Sequence, residues 1–309
     1  MRYLRFPPLA RDLSRLVLGT AGYELAPLDV ALDLFDAFRE LGGNVVDTGR
    51  EYGNAEAIVG RWLRERRLRD EIVVLTKGAH HDNDTLRRRV NPPEITQDLE
   101  ESLRTLGRES IDIYCLHRDD PDVPVGPLVE TLEAHRRAGR VRVLGASNWT
   151  ERRLEAAAAY ATQHGLQGFA CSSPGLSLAA PQEVPWLDAV TIHGREARAW
   201  YTTRQLPVFA WASLAGGFFA GVRGPDMVRV YETADNRERL RRTQTLAARR
   251  GATPSQIALA WVLHQPFPTY ALVGPRSVAE LQESVAALEL ALTPAEARWL
   301  DVEPGSEEP

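Results

Sequence analysis

The sequence predicts a (β/α)8 barrel, and three observations carry that expectation. Eight short apolar runs are spaced along 309 residues, longer amphipathic stretches separate many of them, and four ionisable side chains close successive runs or sit just beyond them. Polar groups at the carboxyl ends of parallel strands are where such a fold keeps its chemistry, because the loops there form the mouth.

The elements follow in order. RLVLG (15–19) opens the set, and LDVALDLFDAFREL (28–41) reads as the first helix. GNVVD (43–47) and EIVVLT (71–76) are the next two strands. ITQDLEESLRTLG (95–107) places Ile95, Leu99, Leu103 and Leu106 at helical spacing, with Gly107 where a C-terminal cap belongs. IDIYCLH (111–117), GPLVETLEAHRRAG (126–139), RVLGAS (142–147), ERRLEAAAAYATQHG (151–165) and GFACS (168–172) continue the alternation. LPVFAWA (206–212) and TYALVG (269–274) complete the strands. Their apolar character suits a sheet covered on all sides. A doubly wound sheet is the competitor, but its G-x-G-x-x-G fingerprint is missing, since LGTAGYEL offers only two glycines three apart. The stretch from Gly216 to Asn236 is too long for an ordinary turn and reads as a functional loop over the mouth. One domain over residues 1–300 is expected, followed by an acidic, disordered tail at 301–309.

With 44% hydrophobic and 26% charged residues and a net charge of −5, the composition is that of an ordinary globular protein without affinity for nucleic acid. The basic run RWLRERRLRD (61–70) reads as the solvated face of a helix whose Trp62 and Leu63 turn inward. No apolar stretch approaches the ~18 residues of a membrane span, and MRYLRFPPLARD lacks the apolar centre of a signal peptide, so a cytoplasmic location is expected. Cys115 and Cys171 lie in strand-like segments and read as buried thiols, with no metal-ligand spacing.

Asp47, Tyr52, Lys77 and His117 form the candidate catalytic set. A nearby ammonium lowers the pKa of a phenol, a role for Lys77 toward Tyr52. A carboxylate keeps a buried amine charged, a role for Asp47, while His117 donates to a carbonyl oxygen and orients it. Each residue also has a structural reading of its own: a helix cap, core packing, a snorkelling lysine, a satisfied core histidine.

DTGREYGNAE (47–56), TKG with Lys77 and LHRDD with His117 resemble, in order and spacing, the signatures of the aldo-keto reductase family. GASNW (145–149), WASLAGG (211–217), TPSQIALAWVL (253–263) and VGPRSVAELQES (273–284) extend the resemblance from about Leu13 to about Leu300. It implies a barrel that binds NADP, or NAD in its place, and passes hydride to an aldehyde or ketone, with Tyr52 as general acid. Cofactor contacts would come from Gly19, Thr20, Asp47, Ser147, Asn148 and Ser173, and from Trp211, which would stack on the nicotinamide. Ala212, Ser213, Leu214, Ala215, Gly216 and Gly217 would carry the pyrophosphate; Gly274, Arg276, Glu280 and Ser284 would face the adenosine, with Arg276 on its 2′-phosphate. Three positions depart from the family pattern: Ser173 replaces the usual glutamine, Ser284 follows Glu283 where an E-N pair is usual, and the acidic Glu280 opposes a 2′-phosphate.

Substrate contacts are expected from Tyr23, Glu24, Ala79, His80, His117, Arg118 and Trp149, a set polar enough to favour a sugar-like carbonyl compound. Two alternatives stand beside the reductase. One is a metal-dependent barrel hydrolase using HHDND (80–84) with Asp47 and His117; the other is a cofactor-binding regulatory protein of the same fold with little turnover. The resemblance implies a monomer or a small homo-oligomer.

Overall fold

The chain begins with an antiparallel pair and then winds eight parallel strands into a closed ring. The computed structural model describes residues 1–309 except for the side chain of Glu24, so the expectation placed on that side chain lies outside the described residues. The pair is β1 (Tyr3–Phe6) and β2 (Arg11–Ser14). The ring is β3 (Leu16–Gly19), β4 (Val45–Asp47), β5 (Val73–Gly78), β6 (Ile111–Leu116), β7 (Val141–Ser147), β8 (Cys171–Ser173), β9 (Val208–Ala210) and β10 (Thr269–Val273), closing β10 onto β3. Around it lie α1 (Leu28–Glu40), α2 (Ala55–Glu65), α3 (Pro92–Leu106), α4 (Val125–Arg137), α5 (Glu151–Gln163), α6 (Arg195–Arg204), α8 (Ala234–Arg250), α9 (Pro254–Leu263) and α10 (Val278–Ala286), with the short helices α7 (Pro225–Tyr231) and α11 (Pro294–Leu300). The chain is the (β/α)8 barrel its alternation predicts.

Strand alternation sorts the apolar residues into two cores. Val46, Val74, Tyr114, Leu144 and Ala210 point outward and pack against the helices. Val17, Val45, Val73, Leu75, Ile113, Cys115, Val143, Cys171, Phe209 and Tyr270 point inward and fill the ring. The same parity puts Asp47, two residues past Val45, and Lys77, two past Leu75, on the inner face above this packing. Helix ends match their sequence signals: Asn91 accepts from the Glu94 amide, and Gly107 takes the left-handed conformation at φ 64° that a C-cap requires. On α2, Trp62 and Leu63 are buried while Arg61, Arg64 and Arg66 are exposed, as expected of a solvated basic face.

Two features depart from the expectations. The N-terminal pair was not foreseen; Phe6, Leu9 and Leu13 are buried under the inner core, and Phe6 meets Phe209 and Tyr270 edge-on at 5.7 and 6.0 Å. Its strands are four residues each, too short for a periodic signal to stand out. Gly216–Asn236 is not one irregular loop over the mouth: Ala215–Ala220 forms a 3-10 segment and α7 follows it. Phe218, Phe219, Val230 and Tyr231 bury the apolar face of that segment. The long irregular connection is residues 174–194 instead, whose Gly175 bridges both Thr191 and Trp211. At the C-terminus Asp301 is buried and accepts from Arg198 at 2.6 Å.

Phe6 therefore closes the floor of the ring. Phe6→Ala is expected to cost about 3–5 kcal/mol, the usual loss for a fully buried phenylalanine, read as a shifted midpoint in chemical denaturation with no change in the helical circular dichroism of the folded state.

Candidate active site

Register brings the four candidate side chains together. Asp47 pairs with Leu75 across β4 and β5, so Lys77, two residues further on, leaves the same inner face one step higher. Its Nζ lies 2.6 Å from Asp47 Oδ1 and donates to the Thr48 carbonyl at 2.8 Å. Tyr52 comes from the turn after β4, where its amide donates to the Gly49 carbonyl at 3.0 Å and the Tyr52 ring packs over Gly49. Lys77 Nζ reaches the Tyr52 oxygen at 3.3 Å, and His117 Nε2, on the residue just past β6, lies 3.4 Å from the same oxygen. Two of the structural readings fall away: Asp47 caps no helix and Lys77 does not reach solvent, both being 2% exposed.

Electrostatics follow from burial. Burial alone would strip the proton from Lys77, but Asp47 and then Tyr52 outweigh it and hold the lysine above its usual value. Burial raises Asp47, against the pull of Lys77, and it also raises Tyr52 more than Lys77 lowers it. The expected lowering of the phenol is thus a correction: desolvation wins, and Tyr52 stays a neutral proton donor at neutral pH. His117 is held well below its usual value by burial first and Arg118 next, so it is a neutral imidazole. His80 is pushed down to about 4 for the same two reasons.

A cavity of about 410 Å3 opens above these groups. Of the residues expected at a site, it is lined by Gly19, Asp47, Tyr52, Lys77, His80, His117, Arg118, Ser147, Asn148, Trp211, Ala212 and Gly274. Trp211 fits because Gly175 has no side chain: a Cβ there would lie 2.6 Å from the indole. Ser147 Oγ donates to the Ser173 carbonyl at 2.8 Å, and Asn148 donates to the His117 carbonyl at 3.0 Å.

Other expected residues lie off this cavity. Tyr23 donates its hydroxyl to the Pro275 carbonyl, Ala79 its amide to Asp98 at 2.8 Å, and Trp149 its indole N–H to the Arg118 carbonyl at 3.1 Å. All three are buried, and none is among the residues that line this cavity. Ser173 likewise points its hydroxyl at the Phe209 carbonyl, 2.8 Å away, and Thr20 is fully buried behind the wall. Ser213 donates to Ala210 at 2.9 Å and leads through Leu214 into Ala215, Gly216 and Gly217, beyond the cavity's edge. Arg276 just before α10 donates its Nη2 to Glu280 at 3.2 Å, and Ser284, one turn further along the helix, donates to the Glu280 carbonyl at 3.0 Å. In the HHDND stretch, Asp82 is spent on a turn, accepting from the Thr85 amide at 2.8 Å.

The sequence reading missed Ala21, Glu51, Asn83, Trp186, Leu272 and Val273, all on the cavity wall. Leu272 could have been found from strand parity, two residues beyond the inward Tyr270. Trp186 could not, because it sits in the irregular 174–194 connection, 5.2 Å from the Trp211 ring.

The pattern of the Aldo/keto reductase family matches residues 15–302. The chain belongs to this family. An uncharacterized oxidoreductase of Bacillus subtilis, YrpG, is 29% identical over 99% of this chain and 97% of its own length. The aldo-keto reductase YhdN of the same organism is 26% identical over 91% of this chain and 87% of its own. Versiconal hemiacetal acetate reductase of Aspergillus parasiticus is 24% identical over 97% and 96%. This aldo/keto reductase is accordingly an oxidoreductase, of a family that generally works with a nicotinamide cofactor. Among its described residues no helix is long and apolar enough to cross a membrane.

The neutral histidines give this aldo/keto reductase a pH signature. His80, His81 and His117 all have folded values below the ordinary 6.5, so the unfolded chain binds more protons as pH falls, and their contribution to stability, present above pH 6.5, is lost toward pH 4. Calorimetry is expected to show Tm falling by roughly 3–6 °C between pH 6.5 and 5, with a smaller fall in His80→Gln.

Proposed function

We propose that this chain reduces an aldehyde or ketone to an alcohol with NADPH, Tyr52 acting as general acid. The observation that carries the reading is one cavity lined both by a neutral phenol flanked by a charged lysine and a neutral histidine and by the indole of Trp211.

The residues present fit a nicotinamide dinucleotide. Trp211 Nε1, on the cavity wall, is a buried polar atom with no hydrogen-bond partner among the described residues, and the small residues Gly19, Ala21, Ala212 and Gly274 line the same cavity. Trp211, Ser147 and Asn148 would hold the nicotinamide, Ser213 to Gly217 the pyrophosphate, and Arg276 the adenosine end. When bound, the reduced nicotinamide supplies the hydride for the carbonyl carbon and is left oxidised.

The chain's own groups supply the proton. Tyr52 gives its phenolic proton to the carbonyl oxygen, so hydride and proton together complete the alcohol. The phenolate left behind forms beside Lys77, which Asp47 keeps charged, and that favours the transfer although the resting phenol is hard to ionise. His117, uncharged, can donate to the same oxygen without competing for its proton. The polar wall of His80, Asn83 and Arg118 supports a polar substrate, and the single barrel over residues 1–300 is read as one catalytic domain of a cytoplasmic enzyme.

Tyr52→Phe is expected to lower kcat for a reactive test aldehyde by about 10²–10⁴-fold while NADPH still binds, as seen by fluorescence titration; parent-like turnover would refute the assignment. Cofactor choice tests Arg276, whose guanidinium is paired with Glu280 and 79% exposed. Glu280→Gln is expected to raise the NADPH/NADH ratio of kcat/KM by roughly 3–10-fold and Arg276→Ala to lower it, because the carboxylate competes with a 2′-phosphate for the same cation.

A further inference from the structure

Proton transfer from Tyr52 leaves one cation in the cavity without a role. Arg118 is only 7% exposed and lines the cavity beside Tyr52, His80, Asn83 and His117. Its Nε donates to the Leu187 carbonyl at 3.1 Å and its Nη1 to the His117 carbonyl at 3.0 Å; Nη2 donates to no described residue. The guanidinium is thereby fixed in direction by two neutral carbonyls, and no described carboxylate lies within ion-pair distance of it.

Neighbouring acids are already committed. Asp119, the next residue, is held by Arg153 at 2.8 Å from both of its oxygens. Asp188 and Asp120 pair with Arg88 at 3.1 and 3.4 Å, Glu51 with Arg50 at 3.0 Å, and Asp47 with Lys77 at 2.6 Å. Lys77 is paired with Asp47 and the three histidines are neutral, and although Arg50 and Arg88 are each shared by several carboxylates, Glu51 of the cavity wall and Asp188 among them, Arg118 is the one described cation lining the cavity that has no ion-pair partner. A buried charge is costly unless something pairs with it, and a planar guanidinium with a free edge is matched to a carboxylate or phosphate. Asn83, also on the wall, adds an uncharged donor nearby.

We propose that Arg118 binds an anionic group, carboxylate or phosphate, of the substrate whose carbonyl meets Tyr52. The proposal rests on the reductase reading above and narrows its substrate to small anionic carbonyl compounds.

Matched substrates test it. Steady-state rates with NADPH are compared for succinic semialdehyde against its methyl ester and for glyceraldehyde 3-phosphate against glyceraldehyde, in the parent, Arg118→Met and Arg118→Lys. In the parent the anionic member of at least one pair is expected to lead in kcat/KM by about 10- to 100-fold, and the leading pair tells carboxylate from phosphate. Arg118→Met is expected to bring that ratio toward one, chiefly through KM, and Arg118→Lys to restore part of it. Ratios near one in the parent, or a ratio unchanged in Arg118→Met, would overturn the proposal. Quenching of tryptophan fluorescence by succinate or inorganic phosphate, with NADP present, gives a readout without turnover; saturable quenching in the parent that Arg118→Met loses, at parent-like circular dichroism, supports the site, and equal quenching in both overturns it. Should Arg118→Met not fold, Arg118→Lys carries both readouts. Turnover of the neutral 4-nitrobenzaldehyde, and its loss in Tyr52→Phe, reports on the reductase reading alone, so the two failures are told apart.

Discussion

A buried ion pair, Asp47 to Lys77 at 2.6 Å, holds the candidate site together. Two charges taken out of water are tolerable only in good geometry with their remaining hydrogen bonds made, and here the Thr48 carbonyl accepts from the lysine as well. That geometry is dictated by strand register: shifting β5 by one residue against β4 would turn Lys77 outward and leave Asp47 as an unpaired buried charge. The layer of valine, leucine and cysteine beneath the pair fixes the register, so the apolar filling of the ring and the chemistry above it are one construction.

The pair also decides how the other groups ionise. Every titratable residue near it is desolvated, and desolvation favours neutral forms of tyrosine and histidine alike. Tyr52 is therefore a neutral phenol rather than an unusually acidic one, and in the reductase reading the lysine would matter for the state after proton transfer. The histidines, uncharged beside Arg118, leave that guanidinium as the described cation of the cavity wall that lacks an ion-pair partner.

Much of this was legible in the residues themselves. The barrel could be read from apolar runs because its strands are buried on both faces, and the four reactive side chains stood out as polar exceptions at the ends of those runs. What escaped has physical causes. The β1–β2 pair is too short for periodicity to register, and Trp186 approaches the cavity on a connection whose path is set by tertiary bridges at Gly175. Side-chain direction escaped too: Tyr23, Trp149 and Ser173 are near the mouth in sequence terms, yet each spends its polar side-chain group on a backbone carbonyl of the wall. The direction of the Tyr52 shift turned on depth of burial, which no spacing rule reports.

Phe6, Leu9 and Leu13 seal the amino-terminal end of the ring, so the cavity is a cul-de-sac. The plug at the far end of the molecule thus leaves the loops at the carboxyl ends of the strands as the way in for any molecule that enters this cavity.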